Sequence, residues 1–246
     1  MMRSLLAALT VLTVFPAGKF CPAESELQKS VSFFPAVGVL LGLLVWGAGE
    51  FAGNGMTAWV LLALLPEFLT RGFHLDGLAD TADGFFSGRD RERKLEIMHD
   101  SRIGSMGVLA IVSLLLFKIA LLADAPAGWA PRLAGVSLVC GRTGILWHIA
   151  ASGYARKSGL GRVWFHSGKP VGGIIAGTAL CLVAGWFLAG GLTGLAAAGL
   201  AAVLCPVLWS EVTRRVIGGA TGDTIGACEE GTELLFLAGA VLGNAG

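Results

Sequence analysis

The sequence predicts an all-α protein: a polytopic transmembrane helix bundle of about seven spans with cytoplasmic loop helices. Three observations lead there. First, 54% of the 246 residues are hydrophobic and only 14% are charged, against about 25% charged in soluble domains. One soluble core of this length could not hide so much apolar sequence, so the bilayer takes the rest. Second, the apolar residues come in runs near the roughly 20 residues that a membrane helix needs. Third, the basic residues fall almost entirely on one side of those runs.

Arg3 and the apolar run 5–15 resemble a signal peptide, but Pro16, Lys19 and Pro22 follow where a small-x-small cleavage site would stand. The segment is expected as a short helix at or dipping into the interface. Seven spans follow, at about 35–53, 57–73, 105–124, 131–151, 171–189, 194–213 and 232–244. Connections 53–57, 124–131 and 190–194 are brief, whereas 74–104, 152–170 and 214–231 are long and polar. Alternating sides put fifteen of the 18 Lys and Arg on one face, among them Lys19, Lys29, Arg71, Arg156, Lys157, Lys169, Arg214 and Arg215. The positive-inside rule makes that face cytoplasmic. Arg132 alone lies near the opposite face. The three polar connections then share one compartment, and residues 1–246 read as a single integral membrane catalytic domain. A net charge of +1 implies no nucleic-acid partner. Five scattered cysteines with no CxxC argue against disulfide staples and a zinc site.

The most informative stretch is His74-Leu-Asp76-Gly-Leu-Ala-Asp80-Thr-Ala-Asp83-Gly84. Asp76, Asp80 and Asp83 stand at i, i+4 and i+7, within about 60° on a helix. Three like charges stacked this way repel one another, and their neighbours are Leu, Ala, Thr and Gly rather than compensating cations. A hard cation relieves the repulsion. Mg²⁺ takes carboxylate oxygens, keeps some waters and commonly bridges to phosphates. Gly77 and Gly84 are expected to leave room for a ligand against the backbone. The plainer reading is a solvated acidic face.

Residues 90–96 read as an ordinary charged surface helix. Asp100-Ser-Arg102-Ile-Gly104 then sits at the entrance to the third span, where the Arg102 fork suits a phosphate or else anchors to headgroups. In Gly218-Gly-Ala-Thr221-Gly222-Asp223-Thr224, the backbone amides of a glycine-rich turn can form an anion-binding nest. Glu230 and Glu233 follow as further ligands or helix N-terminal charges. Glu50, Glu67, Lys118, Arg142, His148 and Glu211 fall inside spans, where charge is costly and usually faces the bundle interior. Glu67 and Arg71, four apart, are placed to pair, and Arg142 and His148 to reach toward the site or a cavity.

At these residues the chain resembles a known family. HLDGLADTADG, then KLEIM and DSRIGSMG, then GGATGDTIGA, together with Phe33-Phe34-Pro35, are similar to the signature of cobalamin synthase, the adenosylcobinamide-GDP ribazoletransferase family. Similarity runs through most of the chain; Cys228-Glu229 stands where small or apolar residues are expected. The resemblance implies attack of α-ribazole, or its 5′-phosphate, on the diphosphate of adenosylcobinamide-GDP. GMP leaves, and adenosylcobalamin or its 5′-phosphate forms with Mg²⁺ as cofactor. Asp76, Asp80 and Asp83 would hold Mg²⁺ on the diphosphate. Asp100 would complete the metal shell or take the 5′-hydroxyl proton, with His74 as the competing base. Arg102 and Arg89 would offset charge on the leaving GMP. Asp223, with Thr221, Gly222 and Thr224, would bind a second metal or the nucleotide. The resemblance also implies the inner or plasma membrane of a bacterium or archaeon, and it says nothing of oligomeric state.

Two rivals share features. CDP-alcohol phosphotransferases also use Asp-rich membrane helices, Mg²⁺ and a diphosphate donor, but their pattern is a DG-x₂-AR run, and here Asp80 follows Ala79. A cation transporter would place its carboxylates near the midplane, and these fall at the cytoplasmic edge.

Overall fold

The computed structural model describes residues 1–15, 20–156, 158–166 and 168–244; the positions of Lys19 and Lys157, counted above for sidedness, lie outside them. A short apolar helix, α1 (Met2–Leu12), and α2 (Glu24–Ser30) precede α3 (Phe34–Ala52). The chain continues through α4 (Met56–Leu69), α5 (Phe73–Phe85), α6 (Arg91–Ile97), α7 (Ser105–Asp124), α8 (Ala130–Ala151) and α9 (Val171–Leu188). Then α10 (Leu192–Gly199) passes through a π turn at Leu200–Leu204 into α11 (Cys205–Ile217), and α12 (Gly222–Leu242) closes the fold. Among the described residues the extended pairing is one isolated parallel bridge, Tyr154 with Ala220.

Five helical segments are long and apolar enough to cross a membrane, or six when the bent pair α4–α5 counts as one span. The expected count of about seven is therefore approximate, and two places explain the difference. At the end of α4 the helix does not run on to residue 73. Arg71 and Gly72 both take left-handed φ, 61° and 62°, and α5 leaves at 91° to α4. The other place is α12, which begins at residue 222 rather than 232. At 21 residues it is about 31 Å long, enough for a span, but Asp223, Glu229, Glu230 and Glu233 lower its hydropathy.

Helix α8 is the axis of the bundle, buried along most of its length, with α3, α9, α11 and α12 packed around it. It approaches α3 so closely that a Cβ on Gly42 would collide with the Gly135 carbonyl; small residues are what allow membrane helices to meet this way. The exposed Leu, Ile, Val and Phe of α7 and α9, such as Leu116, Phe117, Ile175 and Phe187, form the outer surface that lipid would cover.

Candidate functional site

Helix α5 carries the three expected aspartates, and it packs against α7 and α12. Gly77 faces the backbone of Asp223, where a Cβ would come within 2.8 Å of its carbonyl oxygen, and Gly226 faces the His74 carbonyl at the same distance. The space expected for a ligand at Gly77 is thus filled by α12, and that at Gly84 by the Met98 side chain. What the small residues achieve is a close seam that brings Asp223 of α12 beside the acidic face of α5. Asp80, half-buried, lies in the field of Asp223, Asp76 and Asp83, and Arg156 is the cation that faces them. Arg156 Nη2 reaches Asp223 Oδ2 at 2.8 Å.

The members of this face have different partners. Asp76 is exposed and opens onto a cleft of about 600 Å³ lined by Thr10, Val11, Arg71, Phe73 and Ile111. Asp83 turns to the other end of α5. Its two oxygens accept backbone N–H groups of Gly104, at 2.6 Å, and Gly107, at 2.9 Å. Those amides open α7 and have no helical partner of their own. Beside them a second cavity of about 340 Å³ is lined by Asp83, Ser87, Asp100, Arg102 and Ser105. Here Arg102 donates to both oxygens of Asp100, at 3.0 and 2.6 Å, and that hydrogen-bonded guanidinium holds the Asp100 carboxyl down to about 2. Arg89 lies on the exposed loop between α5 and α6.

At the start of α12, Thr221 is the N-cap. Its hydroxyl accepts from the Thr224 N–H at 3.2 Å, while the Thr221 N–H donates to Thr224 Oγ1 at 2.8 Å. This reciprocal capping box commits both hydroxyls to the turn and leaves Asp223 and the backbone of Gly222 as its accessible groups. Asp223 also gains from standing in the first helical turn.

His74 points elsewhere. Two positions from Asp76, it is rotated by about 200° around the helix, so it faces the bundle interior. Its Nδ1 lies 3.3 Å from Glu229 Oε2, and both side chains are buried. They belong to a charge network joining five helices. Lys118 of α7 holds Glu230 at 2.7 Å, Glu233 at 2.8 Å and Glu67 of α4 at 3.5 Å. Arg142 of α8 pairs with both Glu229 and Glu233. Glu229, Glu230 and Glu233 each offer an oxygen within 4.8 Å of the others, but all three already pair with Lys118 or Arg142. Glu67 does not pair with Arg71. The break at residues 70–72 turns Arg71 away, and its Nη2 donates to the Thr10 and Val11 carbonyls at 3.2 and 3.4 Å. Arg142 serves the network, and His148 contacts Ser210 at 2.8 Å and Thr224 at 3.5 Å.

Sequence reasoning missed Arg156 and the role of α6. Arg91 of α6 donates to the Ile217 carbonyl at 2.8 Å, capping the C-terminal end of α11, and reaches the Ala155 carbonyl at 3.4 Å. The charged α6 is thus a strap across the site's rim. A signal existed in the run of basic residues at 156–162, which the sidedness count used only in bulk.

Among the described residues, the donor set on the α5–α12 seam consists of the carboxylate oxygens of Asp76, Asp80 and Asp223. That chemistry fits Mg²⁺. Residues 4–241 match the family model described as Cobalamin-5-phosphate synthase. The chain is 40% identical over 243 residues to an adenosylcobinamide-GDP ribazoletransferase of Desulforamulus reducens, covering 96% of each. It is 38% identical to the enzyme of that name from Brevibacillus brevis, again over 96% of each. With the Roseiflexus protein of the same name it shares 39% identity over 94% of this chain and 86% of the relative. No solved structure matches.

Proposed function

The chain belongs to the cobalamin-5-phosphate synthase family, and from that premise we propose that it joins adenosylcobinamide-GDP to α-ribazole, or to α-ribazole 5′-phosphate, with release of GMP. In this reaction the 5′-hydroxyl oxygen attacks the phosphorus bearing the cobinamide. The phosphoanhydride bond to GMP breaks, and the hydroxyl proton passes to a base. The observation that carries the reading is the α5–α12 seam, where Asp76, Asp80 and Asp223 face one another with, among the described residues, Arg156 as their cation.

Asp76, Asp80 and Asp223 would hold Mg²⁺, with Asp83 at the edge of the set. A bound Mg²⁺ would offset diphosphate charge and align attacking and leaving oxygens. The protein's part is positioning. Asp83 and the α7 N-terminus fix one end of α5, and the Thr221–Thr224 box fixes the start of α12. Arg102 is exposed and free to swing from Asp100 to the leaving GMP. That movement would release Asp100 from the guanidinium that keeps it a weak base, so the acceptor's proton is taken when the phosphate is in place. Asp100 lines an open cavity and His74 does not, which favours Asp100 over His74 as the base. The site lies on the face that carries the basic loops, so the positive-inside rule assigns it to the cytoplasmic side.

The test is turnover by the purified full-length protein in detergent or nanodiscs with adenosylcobinamide-GDP, α-ribazole and Mg²⁺. Cobamide product with stoichiometric GMP is expected. Absence of both, from protein that is folded and monodisperse, would exclude the reaction.

A further inference from the structure

We propose that Arg156 is the site's built-in counter-cation: it neutralises Asp223 and its carboxylate neighbours before metal binds, and passes to the donor's diphosphate once metal has taken those oxygens. The inference rests on the metal-assisted reading above. Three observations support it.

The first is where the charge sits. Arg156 Nη2 is 2.8 Å from Asp223 Oδ2, and each side chain is 19% exposed. Asp80 and Tyr154 also lie in the field of Arg156. Aspartates in mutual view repel one another, a nearby cation offsets that repulsion, and Arg156 supplies one from the protein.

The second is how the backbone is held. The Ala155 N–H donates to the Ala220 carbonyl at 2.8 Å, and the Ala220 N–H donates to the Gly153 carbonyl at 2.7 Å. Gly219 lies at φ 151°, where a side chain would also strike the Gly153 carbonyl. The loop that carries Arg156 is therefore welded to the turn that carries Asp223. The Arg91 contact to the Ala155 carbonyl holds it from above. With the backbone fixed, the guanidinium is the part that can move.

The third is the incomplete hold on that head group. Besides Asp223, its hydrogen-bond partner among the described residues is the Leu95 carbonyl, at a long 3.4 Å. A planar fork with donors to spare suits a diphosphate better than a single carboxylate.

Full-length protein in detergent is tested with Mn²⁺ as the probe, read by electron paramagnetic resonance, alongside donor kinetics. Arg156→Gln should bind Mn²⁺ about tenfold more tightly than wild type without nucleotide, because a competing cation is gone. Its KM for adenosylcobinamide-GDP should rise about tenfold, with the α-ribazole KM little changed. Arg156→Lys should restore the wild-type Mn²⁺ affinity but not the donor KM, since a point charge lacks the fork; it also serves if the glutamine variant does not fold. Unchanged or weaker Mn²⁺ binding in Arg156→Gln overturns this inference and leaves the metal reading intact. No Mn²⁺ binding in wild type that Asp223→Asn removes overturns the metal reading itself and this inference with it.

Discussion

Asp83 separates two jobs that a carboxylate can do at one helix end. Both of its oxygens accept amides that open α7, at 2.6 and 2.9 Å. Asp83→Asn keeps the shape, but one oxygen becomes an NH₂ that meets an N–H donor. One charge-assisted hydrogen bond is lost, worth about 1.5–3 kcal/mol, together with up to about 1 kcal/mol of favourable interaction with the helix N-terminus. The expected loss is about 2–4 kcal/mol. For a chain of this size that lowers the unfolding midpoint by roughly 5–10 °C, and α7 loses the contact that registers it against α5. Thermal unfolding in detergent reads the first effect, and a Mg²⁺ titration of turnover reads whether metal is involved. The variant should lose stability and rate while the Mg²⁺ concentration for half-maximal rate stays within about twofold of wild type. A normal unfolding midpoint with a strongly raised Mg²⁺ requirement would refute the reasoning and return Asp83 to the metal's inner ligands.

Asp223→Asn should do the reverse, raising the Mg²⁺ requirement at least tenfold with partial recovery at excess metal; no change would remove Asp223 from the donor set. Lys118→Met leaves Glu230 and Glu233 without their shared cation, and breaking a buried pair costs about 3–5 kcal/mol, so the variant should purify poorly or melt far below wild type, and a normal melting curve would show that the network is incidental. Because Arg102 holds Asp100 low, at about 2, Asp100 is ionised at every pH above that value and loses its charge only as pH falls through it. The resting enzyme's metal or donor binding should therefore show no Asp100 titration between pH 5 and 8, and an ionisation there that vanishes in Asp100→Asn would contradict the pairing. A cysteine at Ser87, in a background lacking Cys21, should react with an impermeant maleimide only from the cytoplasmic side; labelling of intact cells would reverse the sidedness.

The spans visible in the sequence were the long, mostly apolar ones: the ends of α3, α7, α8 and α9 fall within a residue of the expected ones, whether the helix faces lipid or, like α8, lies at the bundle's axis. Helix α12 was legible only in its second half. Its acids are buried against Lys118 and Arg142, cations supplied by α7 and α8, and hydropathy along one chain cannot register a partner that arrives from another helix. The same blindness covered Glu67, paired across the bundle instead of with Arg71 four residues on. Its cause is local: a left-handed Arg71 before a left-handed Gly72 ends α4 in a way that an i, i+4 rule does not anticipate. The aspartate face itself was legible, because spacing of three and four residues is a property of one helix. That His74 points the opposite way was also available from the 100° step, although the motif invites treating it as part of the same face.

Glu229 shows why site and scaffold cannot be separated here. It stands where small or apolar residues were expected, yet it is buried and bound by Arg142 and His74. His74 opens α5 two residues before Asp76, and Glu229 lies on α12 six residues after Asp223. Their contact therefore fixes α5 against α12 about one turn below the carboxylates that face each other on the seam. Burying polar side chains is expensive, and a buried polar contact is a poor means of gaining stability against apolar packing. What a His–carboxylate contact supplies is direction: it is satisfied over a narrow range of geometry, whereas a slab of Leu tolerates many. A slip of either helix by one residue would move its aspartates by 1.5 Å and 100°, enough to take them out of reach of one another. The buried network and the tight approach at Gly77 and Gly226 thus act together, one setting the register of α5 on α12 and the other its distance.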